Sequence, residues 1–180
     1  METMQIKDKC FAPFIKEERI LREVKRVAEE ISQDLVAKNP IFLSVLNGSF
    51  IFASDLMRNL TIPAEISFVK YASYSGTSST GKMKELIGLN TDIAGRTVVV
   101  IEDIIDTGLT MKYLLEDLQT RNPKEIKICT LLLKPEKLEV DLNISYVAMR
   151  IPNDFIIGYG LDYEELGRNC RDIYAVVNER

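Results

Sequence analysis

The sequence predicts an α/β fold, a single domain over residues 1–180 with a mostly parallel central sheet flanked by helices. Stretches with helical apolar spacing alternate with short apolar runs, which is the pattern of βαβ units. Several of those runs are apolar at nearly every position, as strands buried on both faces must be. No repeat, low-complexity tract or linker divides the 180 residues.

The elements follow in order. Between Glu17 and Leu35, Ile20, Val24, Val27, Ala28, Ile31 and Leu35 recur at helical spacing, with charged residues on the other face. Asn39-Pro40 ends that helix and Ile41 to Leu46 reads as a buried strand. A turn at Asn47-Gly48-Ser49 leads into a helix from Phe50 to Asn59, and Glu65 to Tyr71 alternates as a strand. Residues 72–84, rich in Ser, Thr and Gly, have no periodicity and are expected to form a mobile loop. Short strands are predicted near Leu86–Leu89 and over Thr97–Ile101, then a helix marked by Met111, Leu114, Leu115 and Leu118 and stopped at Asn122-Pro123. Ile126–Leu133, Ile144–Met149 and Ile173–Val177 complete the strands.

Composition removes several classes of function. There are 23 Lys plus Arg against 27 Asp plus Glu, a net charge of −4, so the global positive field that serves nucleic-acid or membrane-surface binding is missing and neither partner is expected. With no histidine, Ser-His-Asp triads, Cys-His pairs and His-ligated zinc are excluded. Proton transfer then falls to Asp, Glu, Lys, Tyr or Cys. Cys10, Cys129 and Cys170 are odd in number and widely spaced, and no apolar leader or membrane span is apparent, so a cytoplasmic location is expected.

The chemistry is concentrated in Val98 to Thr110. Glu102 and Asp103 interrupt an apolar strand, and burying unpaired carboxylates costs several kcal/mol. They must reach a strand end, a partner or a cation. Asp106-Thr107-Gly108-Leu109-Thr110 then offers hydroxyls, a glycine that allows close backbone approach, and a helix start whose free N–H groups favour anions. Acids beside a phosphate cradle suit a sugar phosphate. An exposed strand end with a helix cap would use the same residue types.

This run resembles the phosphoribosyl-pyrophosphate signature of type I phosphoribosyltransferases, and its Glu-Asp-Ile-Ile-Asp-Thr-Gly form is similar to the hypoxanthine-guanine (6-oxopurine) branch. The resemblance implies a single catalytic domain with a small hood, and transfer of a phosphoribosyl group from phosphoribosyl pyrophosphate to hypoxanthine or guanine. It also implies Mg2+ and a homodimer or homotetramer. By the same likeness Glu102 and Asp103 hold ribose hydroxyls and one magnesium, Asp106 is the general base, and Thr107, Gly108, Leu109 and Thr110 hold the 5′-phosphate. Leu46, Asn47, Gly48 and Arg168 fall at the pyrophosphate positions, Ser73 and Tyr74 in the catalytic loop, and Lys134, Phe155, Ile156 and Asp162 around the purine, with Asp162 also helping to hold a second magnesium. Lys134 is implied to donate to the purine 6-oxo group, which disfavours adenine.

Without the resemblance, Lys134 would be an ordinary solvated lysine, Phe155 core, Asp106 a helix cap and Arg168 a surface charge. Two positions depart from the family. Relatives often carry Lys or Arg at Asn47, in a loop with a non-proline cis peptide, and some carry a polar or basic residue at Leu109. Gly76 to Met83 nearly spells a Walker A loop, but Met83 has no hydroxyl for magnesium and strand-like sequence follows. Gly158-Tyr159-Gly160 begins like a dinucleotide fingerprint and lacks its third glycine. A regulator that senses a nucleotide or phosphoribosyl pyrophosphate on this fold is the alternative to an enzyme.

Overall fold

The computed structural model describes residues 3–73 and 83–177. The chain opens with β1 (Met4–Ile6) and β2 (Lys9–Ile15), then α1 (Glu17–Asp34), β3 (Ile41–Val45), α2 (Phe50–Asn59), β4 (Glu65–Ser73) and β5 (Met83–Ile87). It continues through β6 (Thr97–Ile105), α3 (Leu109–Gln119), β7 (Glu125–Leu133), a short 3-10 turn at Pro135–Lys137, β8 (Tyr146–Arg150), β9 (Ile156–Ile157) and β10 (Ile173–Val176).

The main sheet has the order β5-β4-β3-β6-β7-β8. Five strands, β4 to β8 through β3, run parallel, and β5 pairs antiparallel at the β4 edge. Both faces of the central strands are buried, as their unbroken apolar runs predict. Phe42, Val99, Ile101, Cys129 and Leu131 pack under α1 and α2, while Ile41, Leu43, Val98, Val100 and Ile128 pack with the α3 residues Met111, Leu114 and Leu118.

Strand order fixes where a ligand can enter. The chain leaves β3 toward β4 on one side, and β6 lies on the other side of β3, so the connections after β3 and β6 diverge. A crevice opens at the C-terminal ends of such strands. Register brings Ser44 opposite Ile101, which sets the residues after Val45 beside Glu102 and Asp103.

A second, four-stranded antiparallel sheet, β1-β2-β10-β9, forms the hood around Ile6, Phe11 and Ile157. The sequence reading missed β1, β2 and β9. Pro13 lies within β2, opposite Tyr174, and proline normally argues against a strand, while β9 is too short to show a period. Strand β5 lies three residues earlier than expected, and α3 starts at Leu109, before its first buried apolar position.

The hood is tied to α1 by Asp172. Lys16, the N-cap of α1, makes no side-chain capping bond. Instead Asp172 Oδ1 accepts the Glu17 N–H at 2.8 Å and Oδ2 pairs with Lys16 at 2.8 Å. These two contacts hold the Asp172 carboxyl below its ordinary value, the lysine bond contributing most. A folded-state value below the unfolded ~3.9 makes this stabilisation present above that pH and lost as pH falls through the folded value. Asp172→Asn should therefore lower stability at neutral pH by about 1 kcal/mol, the scale of a helix cap. Urea unfolding against pH should show the wild type and variant converging in acid.

Candidate active site

Glu102 and Asp103 stand on the last turns of β6, where the strand emerges into the crevice. Glu102 is only 9% exposed. Burial, then the charge of Asp103 beside it, pushes the Glu102 carboxyl well above the usual carboxylate range. Burial raises Asp103 too, against the hydrogen bond from Glu102 and the attraction of Arg168. Among the described residues neither acid has an ion-pair partner within 4.0 Å, so the pair is a buried acidic site with no counter-ion of its own.

The connection after β3 runs against this pair. The Leu46–Asn47 peptide is cis. Leu46 N–H donates to Val69 O at 2.8 Å, and Ser49 Oγ is hydrogen-bonded to Ser44 Oγ at 2.7 Å and donates to Val45 O. Gly48 lies so close to Asp103 that any Cβ there would collide with the carboxylate, and the Gly160 backbone packs on the Gly48 carbonyl. Glycine at 48 is thus a matter of space. Asn47 Oδ1 accepts a hydrogen bond from Lys70 Nζ at 3.2 Å.

After β6 the backbone turns into α3 through Asp106–Gly108. A cleft of about 100 Å3 is lined by Glu102, Asp106, Thr107, Gly108 and Thr110 together with Ile104, Ile105 and Met111. Gly108 sits at φ +81° as the α3 N-cap, and a Cβ there would meet Leu142 and Val140 at 2.8 Å. Glu139 N–H donates to Thr107 O at 3.0 Å, so residues 138–142 brace the turn from outside. Leu109, 39% exposed, leaves the polar face of the turn to Thr107 and Thr110. The hydroxyls and first-turn amides together form an anion cradle.

Asp106 lies between two lysines. Its Oδ2 is 3.1 Å from Lys137 Nζ and 3.4 Å from Lys134 Nζ. Its Oδ1 is buried without a hydrogen-bond partner. Lys134 is not the solvated lysine of the default reading, being only 6% exposed. Lys137 was missed. The signal was available in Lys134-Pro135-Glu136-Lys137, because a proline-led 3-10 turn brings residues three apart onto one side.

The hood and the turn after β9 supply the remaining wall. Phe155 is 44% exposed rather than core, its ring held edge-on by Tyr163 at 5.7 Å and tilted against Phe11 at 6.3 Å. Its free face is available for stacking. Ile156 is buried and pairs with Ala175. Arg168 bonds Asp162 Oδ1 at 2.7 Å and Gly160 O at 2.9 Å, and Asp162 Oδ2 accepts the Glu165 N–H at 2.8 Å. Through Gly160 this cluster leans on Gly48. Ser73 ends β4, its backbone paired with Met83. Tyr74 and most of the expected loop, residues 74–82, lie outside the described residues.

The contacts bring Gly48, Asp103, Gly160, Asp162 and Arg168 into one cluster and Asp106, Thr107, Gly108 and Lys134 into another beside it. The phosphoribosyl transferase domain family matches residues 15–164. A hypoxanthine-guanine phosphoribosyltransferase of Streptococcus pyogenes is 44% identical over 154 residues, 85% of this chain and 86% of the relative. A crystal structure of a hypoxanthine-guanine phosphoribosyltransferase from Bacillus anthracis superposes with a TM-score of 0.86 at 41% identity, covering 93% of this chain and 97% of that one. The Trypanosoma cruzi hypoxanthine phosphoribosyltransferase in complex with its product IMP gives 0.87 at 36% identity, covering 97% of each chain. The chain belongs to the phosphoribosyl transferase family and stands within it among the hypoxanthine-guanine phosphoribosyltransferases.

Proposed function

We propose that the protein, one phosphoribosyltransferase domain over residues 1–180, is a purine salvage enzyme. It transfers the phosphoribosyl group of phosphoribosyl pyrophosphate to hypoxanthine or guanine and releases pyrophosphate with IMP or GMP. The observation that carries this reading is Asp106: one carboxylate oxygen is neutralised by two lysines and the other is buried, unpartnered and beside the anion cradle. An acceptor left in that state fits a base whose partner is a substrate N–H.

In the reaction the anomeric C–O bond breaks, its electron pair leaving with pyrophosphate, and the purine N9 forms the new bond to the same carbon. The proton on the purine ring goes to Asp106. Positive charge grows on the ribose and negative charge on the leaving group, so positioning and electrostatics do most of the work. Thr107, Gly108, Leu109 and Thr110 hold the 5′-phosphate. Leu46, Asn47, Gly48 and Arg168 hold the pyrophosphate. The family likeness assigns Ser73 and Tyr74 to the catalytic loop, of which Tyr74 lies outside the described residues. Lys134 turns from Asp106 to donate to the 6-oxo group, leaving Lys137 on the carboxylate, while Phe155 stacks on the purine and the Ile156 backbone reads its edge.

The acids fit a hard divalent cation. Glu102 and Asp103 are oxygen donors forced together without a cation of their own, and Asp162 offers a third carboxylate near Arg168. Mg2+ commonly takes one or two carboxylates and completes its shell with water and substrate oxygens. Bound there, Mg2+ would supply positive charge against the negative charge that develops on the leaving group. Glu102 and Asp103 would hold one ion with the ribose hydroxyls, and Asp162 would help to hold a second.

A cytoplasmic location is supported by free cysteines at 10, 129 and 170 and by the absence, among the described residues, of any helix long and apolar enough to cross a membrane. Self-association as a homodimer or homotetramer is supported by Ile66 and Phe68, exposed on one face of β4.

Nucleobase absorbance with Mg2+ and phosphoribosyl pyrophosphate tests the reaction. Hypoxanthine or guanine should turn over, and Asp106→Asn should lower kcat by about 10^2–10^4, the usual worth of a general base. Folded wild-type protein that turns over no base would point instead to the sensor. Lys134→Met should raise KM for hypoxanthine and narrow its advantage over adenine by about ten-fold or more, read as the ratio of kcat/KM values, because the pocket loses the donor that adenine leaves unpaired.

A further inference from the structure

Lys70 stands near the end of β4, just before Tyr71, where the pairing of β4 with β5 shifts register. Such irregularities re-aim side chains next to functional sites. The preceding residue, Val69, is bonded through its carbonyl to Leu46 N–H at 2.8 Å, so β4 is fastened to the connection after β3 at this level. Lys70 Nζ then reaches Asn47 Oδ1 at 3.2 Å, from the strand that flanks β3 on the side opposite β6, which carries Asp103.

The chemistry of this contact is unusual for a half-buried lysine. An ammonium has three N–H donors, and a neutral amide accepts one of them without cancelling any charge. Among the described residues no carboxylate lies within 4.0 Å of Lys70, whereas Lys134 and Lys137 share Asp106, and Arg168 is paired with Asp162. Among the described residues, Lys70 is thus a cation beside the Leu46–Gly48 turn that no carboxylate offsets.

We propose that Lys70 is a further pyrophosphate-binding residue, held in position by Asn47. The inference rests on the reading of Leu46–Gly48 as the pyrophosphate turn. Asn47 then acts as a positioning residue: it directs a charge supplied by the neighbouring strand. Pyrophosphate at the turn then meets Lys70 from β4 and Arg168 from the hood.

Initial rates with phosphoribosyl pyrophosphate and hypoxanthine varied separately, and pyrophosphate as product inhibitor, test this. Lys70→Met should raise KM for phosphoribosyl pyrophosphate and the inhibition constant of pyrophosphate by about ten-fold, equivalent to about 1.4 kcal/mol. KM for hypoxanthine and the melting temperature should stay close to wild type. Lys70→Arg should restore most of the affinity, and Asn47→Ala should fall between, with no added effect in the Lys70→Met background. Unchanged pyrophosphate inhibition in Lys70→Met would overturn the proposal, as would equal losses for both substrates with a lowered melting temperature, the mark of a structural lysine. Should Lys70→Met fail to fold, Asn47→Ala decides, because it keeps the charge and removes the tether. Failure of the wild type to turn over any base overturns the reaction instead. Calorimetric titration of Mg2+-pyrophosphate into wild type and Lys70→Met then judges Lys70 separately, equal affinities sinking the proposal.

Discussion

The contact between the Gly48 backbone and the Asp103 carboxylate is the constraint around which the site is assembled. Two acids at the end of a strand buried on both faces would ordinarily be expelled to solvent. Here they are retained because the neighbouring connection has no side chain to displace them, and because Gly160 closes on that same glycine from the hood. Strand order makes the encounter possible: β3 and β6 are adjacent and parallel, while their outgoing connections part. One glycine thus couples the sheet, the carboxylate pair and the wall that carries Arg168.

The same economy of charge governs the other half of the crevice. Asp106 is neutralised on one side and left bare on the other, an arrangement possible only because Lys134 and Lys137 come from a single turn. A lone lysine would leave the carboxylate when it engaged a ligand. With two, one cation can remain while the other moves. Residues 138–142 complete this device, since they follow that turn directly and brace Gly108 with Val140 and Leu142. Asp106, its counter-charges and the anion cradle therefore all rest on the stretch 134–142.

Much of this was legible in the sequence, for a physical reason in each case. Buried parallel strands announce themselves as unbroken apolar runs, and Glu102 and Asp103 were conspicuous because they violate such a run. The cradle was legible because hydroxyls, glycine and a helix start are adjacent in the chain. What escaped notice depends on residues far apart. Lys70 and Asn47 are brought together only by strand pairing, and Asp172 caps a helix that begins at Glu17. The hood strands escaped because Pro13 masks one and two residues cannot display a period. Phe155 could not be placed from spacing, since its exposure is set by which face Phe11 and Tyr163 cover.

Net charge alone therefore misdescribes this molecule. A chain with a formal charge of −4 gathers Lys70, Lys134, Lys137 and Arg168 around one crevice, yet three of those four are matched to acids within it. The matched cations are oriented and the unmatched one attracts. A ligand with anionic groups at both ends and hydroxyls between them meets amides and hydroxyls at the cradle, buried acids in the middle, and Arg168 with Lys70 beyond. Because water is a poorer competitor in a partly buried cleft, a few well-aimed groups suffice there where a broad basic surface would be needed outside.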